Sequence, residues 1–517
     1  MSKLRLCACL SRFVLAADLL LLAVSCASRK DLPEHAPMLS LAPAPEGTLV
    51  DSSRAILAGK DKDQSAFLLL HHNRDALNWR LALLDHATTS IDIQYFIWDS
   101  DESSLLLFER LLQAADRGVR VRILVDDLFL TAQNHSIAAL SRYPNIELKI
   151  YNPDFRHSRI GAMMEFVLYF KELNRRMHNK LFVVDNRFAI VGGRNIGDAY
   201  FGLSQEFNNC DMDVMATGKV VPRVSAAFDQ YWNQKLAVPG HMFSEKGTAG
   251  DIVKFRKTVN LALQSSAAKM SSHPLERKNW TKELQSLPAL MHYGSASFLQ
   301  DSPVVTTGDA PRLLDMLSEV GLPSKHEVLI VSPYFIPTEE LLQKVKAATD
   351  RGVSIKLLTG SLASNNHTLT HSHYKKYRRR ILQAGAQLYE FRHDPSAKIR
   401  HSSDNSPVKA DFISLHAKMI VRDRDLCYIG SLNLDPRSVE INTENGMLID
   451  SPGLANQLAE KIEQLMSPEN AWQVYLDEHQ RLRWKSSEGV VSRQPARKFS
   501  QRISDFFFRL IPVEGQL

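Results

Sequence analysis

Residues 177–200, MHNKLFVVDNRFAIVGGRNIGDAY, are written a second time at 415–438 as LHAKMIVRDRDLCYIGSLNLDPRS. His178, Lys180, Asp185, Gly192, Gly193 and Asn195 of the first copy answer to His416, Lys418, Asp423, Gly430, Ser431 and Asn433 of the second, every pair 238 positions apart. One composite site fed by two half-sites is the natural reading. In His-x-Lys on an extended chain both side chains project from the same face, so an imidazole and an ammonium reach one cleft together. The apolar runs 181–184 and 419–421, with 188–191 and 426–429, read as buried strands of an open sheet. Gly-Gly or Gly-Ser then allows a close backbone approach, and Asn195 or Asn433 is placed to donate an amide N–H into the cleft. Two imidazoles, two ammoniums and two amides suit a doubly oxygenated anion, with a phosphodiester the leading candidate.

The surrounding elements repeat as well. A strand–helix–strand pattern at 91–97, 105–115 and 119–125 recurs at 328–336, 341–349 and 353–358. The tetrapeptide DRGV at 116–119 matches DRGV at 350–353, and Tyr151 matches Tyr389. The chain is therefore two homologous α/β halves. Gly118 and Gly352 are predicted to close their helices in the left-handed conformation.

At 517 residues and 44% hydrophobic, the chain has length and apolar content for two or three domains. Its net charge of +6, spread over 63 basic and 57 acidic residues, suits anionic surroundings without arguing for nucleic acid. Cys7, Cys9, Cys26, Cys210 and Cys427 show no metal-ligand spacing. No metal or other cofactor is expected, since the lysines supply the positive charge a divalent ion would bring. Cys210 and Cys427 read as small buried side chains, with a disulfide between them conceivable in an oxidising compartment.

Lys3, Arg5 and Arg12 precede an apolar run at 13–24, interrupted by Asp18 and ending in Ala-Val-Ser-Cys at 23–26. The run is too short to cross a bilayer that takes about 20 apolar residues, so 1–26 reads as a signal peptide with a lipidated Cys26. An uncleaved N-terminus is the alternative. The remaining division is a Pro- and Ala-rich flexible tether at 27–60, a first half at 61–237, a connector without repeat counterpart at 238–298, a second half at 299–490, and a tail at 491–517. The tail mixes Arg497, Lys498, Arg502 and Arg509 with Phe499, Phe506, Phe507, Phe508, Leu510 and Ile511, and is expected to touch a membrane peripherally. Residues 156–177 form a predicted amphipathic helix that either meets lipid or packs on its own core. The basic run 371–380, HSHYKKYRRR, reads as a solvated helix face for all but one or two residues.

The double pattern resembles the phospholipase D superfamily, and the longer words RRMHNK, GGRNIGDAYFG and GSLNLDPRS are similar to bacterial cardiolipin synthases, most closely the C type. The resemblance runs from about residue 61 to the end. It implies two phospholipase D-like α/β half-domains about a pseudo-twofold axis, with the active site at their interface. It also implies a phosphatidyltransferase that joins phosphatidylglycerol to the phosphatidyl group of a second phospholipid, phosphatidylethanolamine for the C type, through a phosphohistidine. His178 is then the nucleophile and His416 the acid/base, although the symmetry permits the reverse. Lys180, Lys418, Asn195 and Asn433 hold the non-bridging oxygens, with Arg194, Gly193 and Ser431 as further substrate contacts. Glu444 and Asp211 resemble the family's orienting acids, Asp213 being a rival for the second place. Asp185 and Asp423 complete the catalytic signature, yet their distance from the lysines points to hydrogen bonding at a turn. Phospholipids and a membrane surface are the expected partners, nucleic acid is not, and the implied location is the bacterial cell envelope, exported and membrane-associated. A hydrolytic phospholipase D releasing phosphatidic acid is the main alternative. A nuclease would show a more basic, aromatic-lined groove, and a catalytically dead lipid-binding protein would not retain both motifs intact.

Overall fold

The structure, a computed structural model, describes residues 36–127, 140, 143–153, 174–242, 249–303, 311–321, 324–365, 367–511 and 515. Cys26 with the predicted signal peptide, and most of the predicted amphipathic helix at 156–177, lie outside the described residues.

The two halves carry the same sheet. In the first the strand order is Ala237–Pro239, Ile146–Tyr151, Arg120–Asp126, Ser90–Tyr95, Leu181–Val184, Phe188–Gly192, Asp213–Gly218 and Ser65–Leu70. In the second it is Ala471–Leu476, Gln387–Phe391, Ser354–Gly360, Glu327–Val331, Met419–Arg422, Leu426–Gly430, Asn445–Asp450 and His292–Gln300. Parallel and antiparallel pairings fall at the same steps in both. The two sheets join at their ends, where Ser65 lies opposite Gly294 and Phe67 opposite His292.

Local chemistry repeats with the topology. Helix Glu102–Asp116 starts at Asp101, whose carboxylate accepts the Ser104 N–H, and helix Glu339–Asp350 starts at Thr338, whose hydroxyl accepts the Leu341 N–H. Both helices end as the repeat predicts, at Gly118 with φ 89° and Gly352 with φ 88°, a conformation that costs an L side chain about 1–2 kcal/mol. Helices Val221–Trp232 and Pro452–Met466 each carry Pro in the first turn, where its missing N–H is harmless. Leu454, Leu458, Ile462 and Leu465 form one buried stripe on the second. These two helices and the inner faces of both sheets share one apolar core, in which Leu181, Val183, Ala189 and Val191 meet Met419, Val421, Cys427 and Ile429. Separate cores lie beneath the outer helices of each half. At about 1.5–3 kcal/mol for each large buried aliphatic side chain, the shared core fixes the seam between the halves.

Two sequence-based boundaries are corrected. The expected tether is packed from its described start: helix Thr48–Leu57 buries Leu49, Val50 and Ile56, and the Ser40 N–H and hydroxyl both donate to Asp229. Its partners are more than 180 positions away, so composition could not reveal them. The expected connector ends inside strand His292–Gln300, which is the second half's counterpart of Ser65–Leu70. Its helix Ala249–Ser265 packs on Glu102–Asp116, with Arg256 paired to Asp116.

The basic run 371–380 is not a solvated face. His371, His373, Tyr374 and Arg378 are buried. Arg378 pairs with Glu390 at 2.6 Å, and Glu390 also accepts from Tyr374 and Trp484. Asp505, on the tail helix Phe499–Phe508, is buried against His371, Lys375 and Gln494. The tail is thereby latched to helix Thr368–Tyr374. Its opposite face is bare: Phe499 is 77% exposed, Phe507 60% and Phe506 52%. No disulfide joins Cys210 and Cys427.

Candidate active site

Strand Leu181–Val184 follows Lys180 directly and strand Met419–Arg422 follows Lys418, so the His-x-Lys triplets stand at equivalent edges of the two sheets. Short parallel pairings between the halves then bring each histidine to an acid. Strand Phe207–Cys210 pairs in register with Phe412–Leu415, Cys210 opposite Leu415, so the residues that follow, Asp211 and His416, sit side by side. On the other side Met177 bridges Thr443, which sets His178 beside Glu444. The backbones lock the same way, with the His178 N–H donating to Thr443 O and the His416 N–H to Cys210 O, each at 2.9 Å.

The pairing therefore crosses the halves. His178 Nδ1 is 2.8 Å from Glu444 Oε2, and His416 Nδ1 is 2.6 Å from Asp211 Oδ2. A carboxylate on Nδ1 holds that nitrogen protonated and leaves Nε2 as the free, reactive edge. Glu444 and Asp211, the two acids expected to orient the rings, each lie on the Nδ1 of the other half's histidine. The rival Asp213 is instead buried against Arg80 and Arg194.

The carboxylates are housed differently. A Cβ on Gly193 would fall 2.3 Å from Asp211 Oδ1, so the short acid requires glycine there. At the equivalent position Ser431 donates its hydroxyl to Glu444. Gly193 and Ser431, expected as substrate contacts, thus shape and satisfy the acids. Arg194 is a further correction: it is fully buried and turned outward, donating to Leu70 O, Asn73 Oδ1 and Asp211 O.

Asp185 and Asp423 are corrected from catalytic to structural positions. Asp185 lies at the far end of strand Leu181–Val184 from Lys180, with φ 55°, and accepts the backbone N–H groups of Thr88, Thr89 and Ser90. Asp423 does the same for Lys325, His326 and Glu327. Each pins its own strand pair to the start of the neighbouring parallel strand, which is the turn role their spacing suggested.

Two lysines, two histidines and two acids share this buried space. Burial lowers Lys180 to about 7, against the pull of Glu444, and Lys418 to about 8, against Asp211. Both ammoniums donate to the carbonyls of their own histidines. Burial and the lysines hold the His178 imidazole well below its usual range, and His416 falls to about 3 for the same reasons. The acids diverge. Burial raises Glu444 to about 7. Burial also works on Asp211, but the His416 ring and its hydrogen bond, with Lys418, outweigh it and leave Asp211 well below the carboxylate range.

The two signature amides differ too. Asn195 accepts the Ile97 N–H at 3.2 Å and donates to Tyr200 Oη at 3.0 Å, so its amide N–H goes to a phenol. Asn433 has no partner for its buried Oδ1. The sequence reading did not single out two aromatic walls. Phe96 stands edge-on to His178 with centroids 4.9 Å apart, and Tyr200 stands edge-on to His416 at 5.2 Å. Both come from the first half, and the second copy offered a hint, since Ser438 occupies the place of Tyr200.

Comparison with known proteins agrees with this architecture. Residues 81–232 and 322–466 match the family described as cardiolipin synthase, PLD-like domain. Cardiolipin synthase C of Escherichia coli K12 is 33% identical over 485 residues, 89% of this chain and 98% of the relative. The major cardiolipin synthase ClsA of Bacillus subtilis is 25% identical over 429 residues, 81% and 72% respectively. Among solved structures, the phosphatidylserine synthase of Haemophilus influenzae Rd KW20 superposes with a TM-score of 0.56 at 15% identity, covering 91% of this chain and all of that one, a likeness of fold. Two matched repeats and a near full-length relative make this chain a member of the phospholipase D-like cardiolipin synthase family.

Proposed function

We propose that the protein is a phosphatidyltransferase that makes cardiolipin from phosphatidylglycerol and a second phospholipid, with phosphatidylethanolamine as donor. The carrying observation is the pair of imidazoles, each with a buried carboxylate from the opposite half on Nδ1 and each followed by a buried lysine. That set supports two-step transfer through a covalent intermediate.

In the first step His178 Nε2 attacks phosphorus, the P–O bond to the donor's head-group alcohol breaks, and the departing oxygen takes the His416 proton. In the second, His416 accepts the proton of the free phosphatidylglycerol hydroxyl, whose oxygen attacks phosphorus as the P–N bond breaks. Lys180 and Lys418 turn from their carbonyls to the non-bridging oxygens, where charge accumulates. The unequal acids favour this division. Asp211, firmly anionic, stabilises an imidazolium on His416, whereas Glu444, raised to about 7, leaves His178 neutral and nucleophilic. An arriving phosphodiester also offsets the effect of Lys418, one of the causes that with burial lower His416, and so favours protonation of the acid as the anionic donor binds.

Membrane contact through the tail belongs to the same reading. Among the described residues no helix is long and apolar enough to cross a membrane. The bare face of helix Phe499–Phe508, with Arg502 and Arg509 beside Phe499, Phe506 and Phe507, suits an anionic lipid surface. Export and a lipid anchor at Cys26 would keep the enzyme at the envelope membrane.

The test is product analysis with liposomes of phosphatidylglycerol and phosphatidylethanolamine. Wild type should yield cardiolipin and free ethanolamine, with phosphatidic acid a minor product. Phosphatidic acid alone would make the protein a hydrolase. In the same liposomes, replacing Phe506 and Phe507 by Ser should weaken co-sedimentation; unaltered sedimentation assigns the tail to core packing.

A further inference from the structure

The signature amide of the first half is not free to meet a substrate. Because Asn195 Oδ1 accepts the Ile97 backbone N–H, its Nδ2 is the end that faces Tyr200, and it donates to the phenol oxygen. A phenol oxygen that accepts this hydrogen bond still carries its own proton, and among the described residues no protein acceptor takes it. Tyr200 is 9% exposed, and its ring lies edge-on to His416, interplanar angle 74°. The Nδ1 side of that imidazole is occupied by Asp211, so the open edge of the ring is the proton-transferring Nε2.

Among the described residues the His178 side has no such group. Its ring neighbour is Phe96, which has no hydroxyl, and Ser438, at the position of Tyr200 in the repeat, has its hydroxyl engaged with Glu444. Among the described residues a spare hydroxyl proton therefore stands on one side only, beside the histidine assigned to general acid/base work.

We propose that Tyr200 is a catalytic residue whose hydroxyl donates a hydrogen bond to the alcohol oxygen on the His416 side of phosphorus. That oxygen belongs to the departing head group in the first step and to the incoming phosphatidylglycerol in the second. Asn195 is the positioning residue that orients the phenol. The role also bears on specificity. An alcohol held by Tyr200 and His416 together is aligned for attack, while water needs less alignment, so the pair biases the intermediate toward transfer over hydrolysis.

This inference rests on the phosphatidyl-transfer reading, and the test separates the two. Tyr200→Phe keeps the ring against His416 and removes only the hydroxyl. Release of labelled ethanolamine is followed from mixed liposomes with and without phosphatidylglycerol, alongside the cardiolipin to phosphatidic acid ratio and the thermal midpoint. The variant should lose about 10–100-fold in kcat with donor KM within about twofold, and shift products toward phosphatidic acid. Asn195→Ala should reproduce the shift, and the double variant should be no worse than about the poorer single one. A Tyr200→Phe enzyme with wild-type kcat and wild-type product ratio overturns the proposal. A wild type that makes no cardiolipin overturns the transfer reading, while the effect on ethanolamine release still decides the role of Tyr200.

Discussion

The two histidine–acid junctions are built from the same repeat and are not the same. The His416–Asp211 junction closes a four-residue parallel ladder, uses the shorter acid, and presses that acid against Gly193. The His178–Glu444 junction rests on a single bridge, uses the longer acid, and satisfies it with the Ser431 hydroxyl. Burial is outweighed at Asp211 by the His416 ring with its hydrogen bond, Lys418 and Arg194, which keep it anionic, while burial dominates at Glu444 and brings it to about 7. Duplication supplied two equivalent half-sites, and the division of labour we propose between them follows a one-carbon difference in the acid, matched by Gly against Ser.

The most forceful way to break that division is to ask which histidine carries the intermediate. With a phosphatidyl donor whose leaving group is nitrophenol, no general acid is needed for departure. His416→Ala should then accumulate the phosphatidyl group on His178, and His178→Ala should accumulate nothing; with natural lipids both should fall by about 10⁴-fold or more. Peptide mapping of the labelled protein decides it, and label on His416 in the His178→Ala variant reverses the assignment. The acids give a smaller, sharper contrast. Asp211→Asn should cost about 10³-fold in kcat because the His416 imidazolium loses its counter-charge, whereas Glu444→Gln should cost about 10–50-fold, its carboxyl being close to half protonated at neutral pH. Equal losses would erase the distinction between the junctions.

The smallest effect is in pH. A lysine lowered to about 7, such as Lys180, or to about 8, such as Lys418, is cationic below that value and neutral above it. Affinity for an anionic donor is therefore retained at lower pH and lost as pH rises, so kcat/KM should decline between about pH 7 and 9 by up to about tenfold per unit. The decline in kcat should lie higher, because bound phosphate raises both lysines. Lys180→Arg, permanently charged, should flatten the lower part of the decline, and an unchanged profile in that variant would remove Lys180 as its source.

Much of this was readable in the chain. Identical offsets announced the duplicated α/β half, and the predicted strands and both left-handed glycines fall where the repeat put them, because period-two burial and helix closure are local properties. The tether, the connector boundary and the basic run were misread for one reason. Ser40 on Asp229, strand His292–Gln300 between two sheets, and His371 and Arg378 beneath the tail helix owe their order to partners far along the chain. Composition describes a segment and says nothing of what covers it.

The sequence by itself determined the inventory: two His-x-Lys triplets leading into strands, two acids at equivalent strand starts, two amides after paired small residues. Tertiary structure alone decided the pairing. Asp211 and His416 are 205 positions apart and Glu444 and His178 are 266, and nothing in either local pattern says that each acid crosses to the other half. Short parallel pairings between the halves do that, and they form because the inner sheet faces share one apolar core whose burial sets the register of everything at its edge.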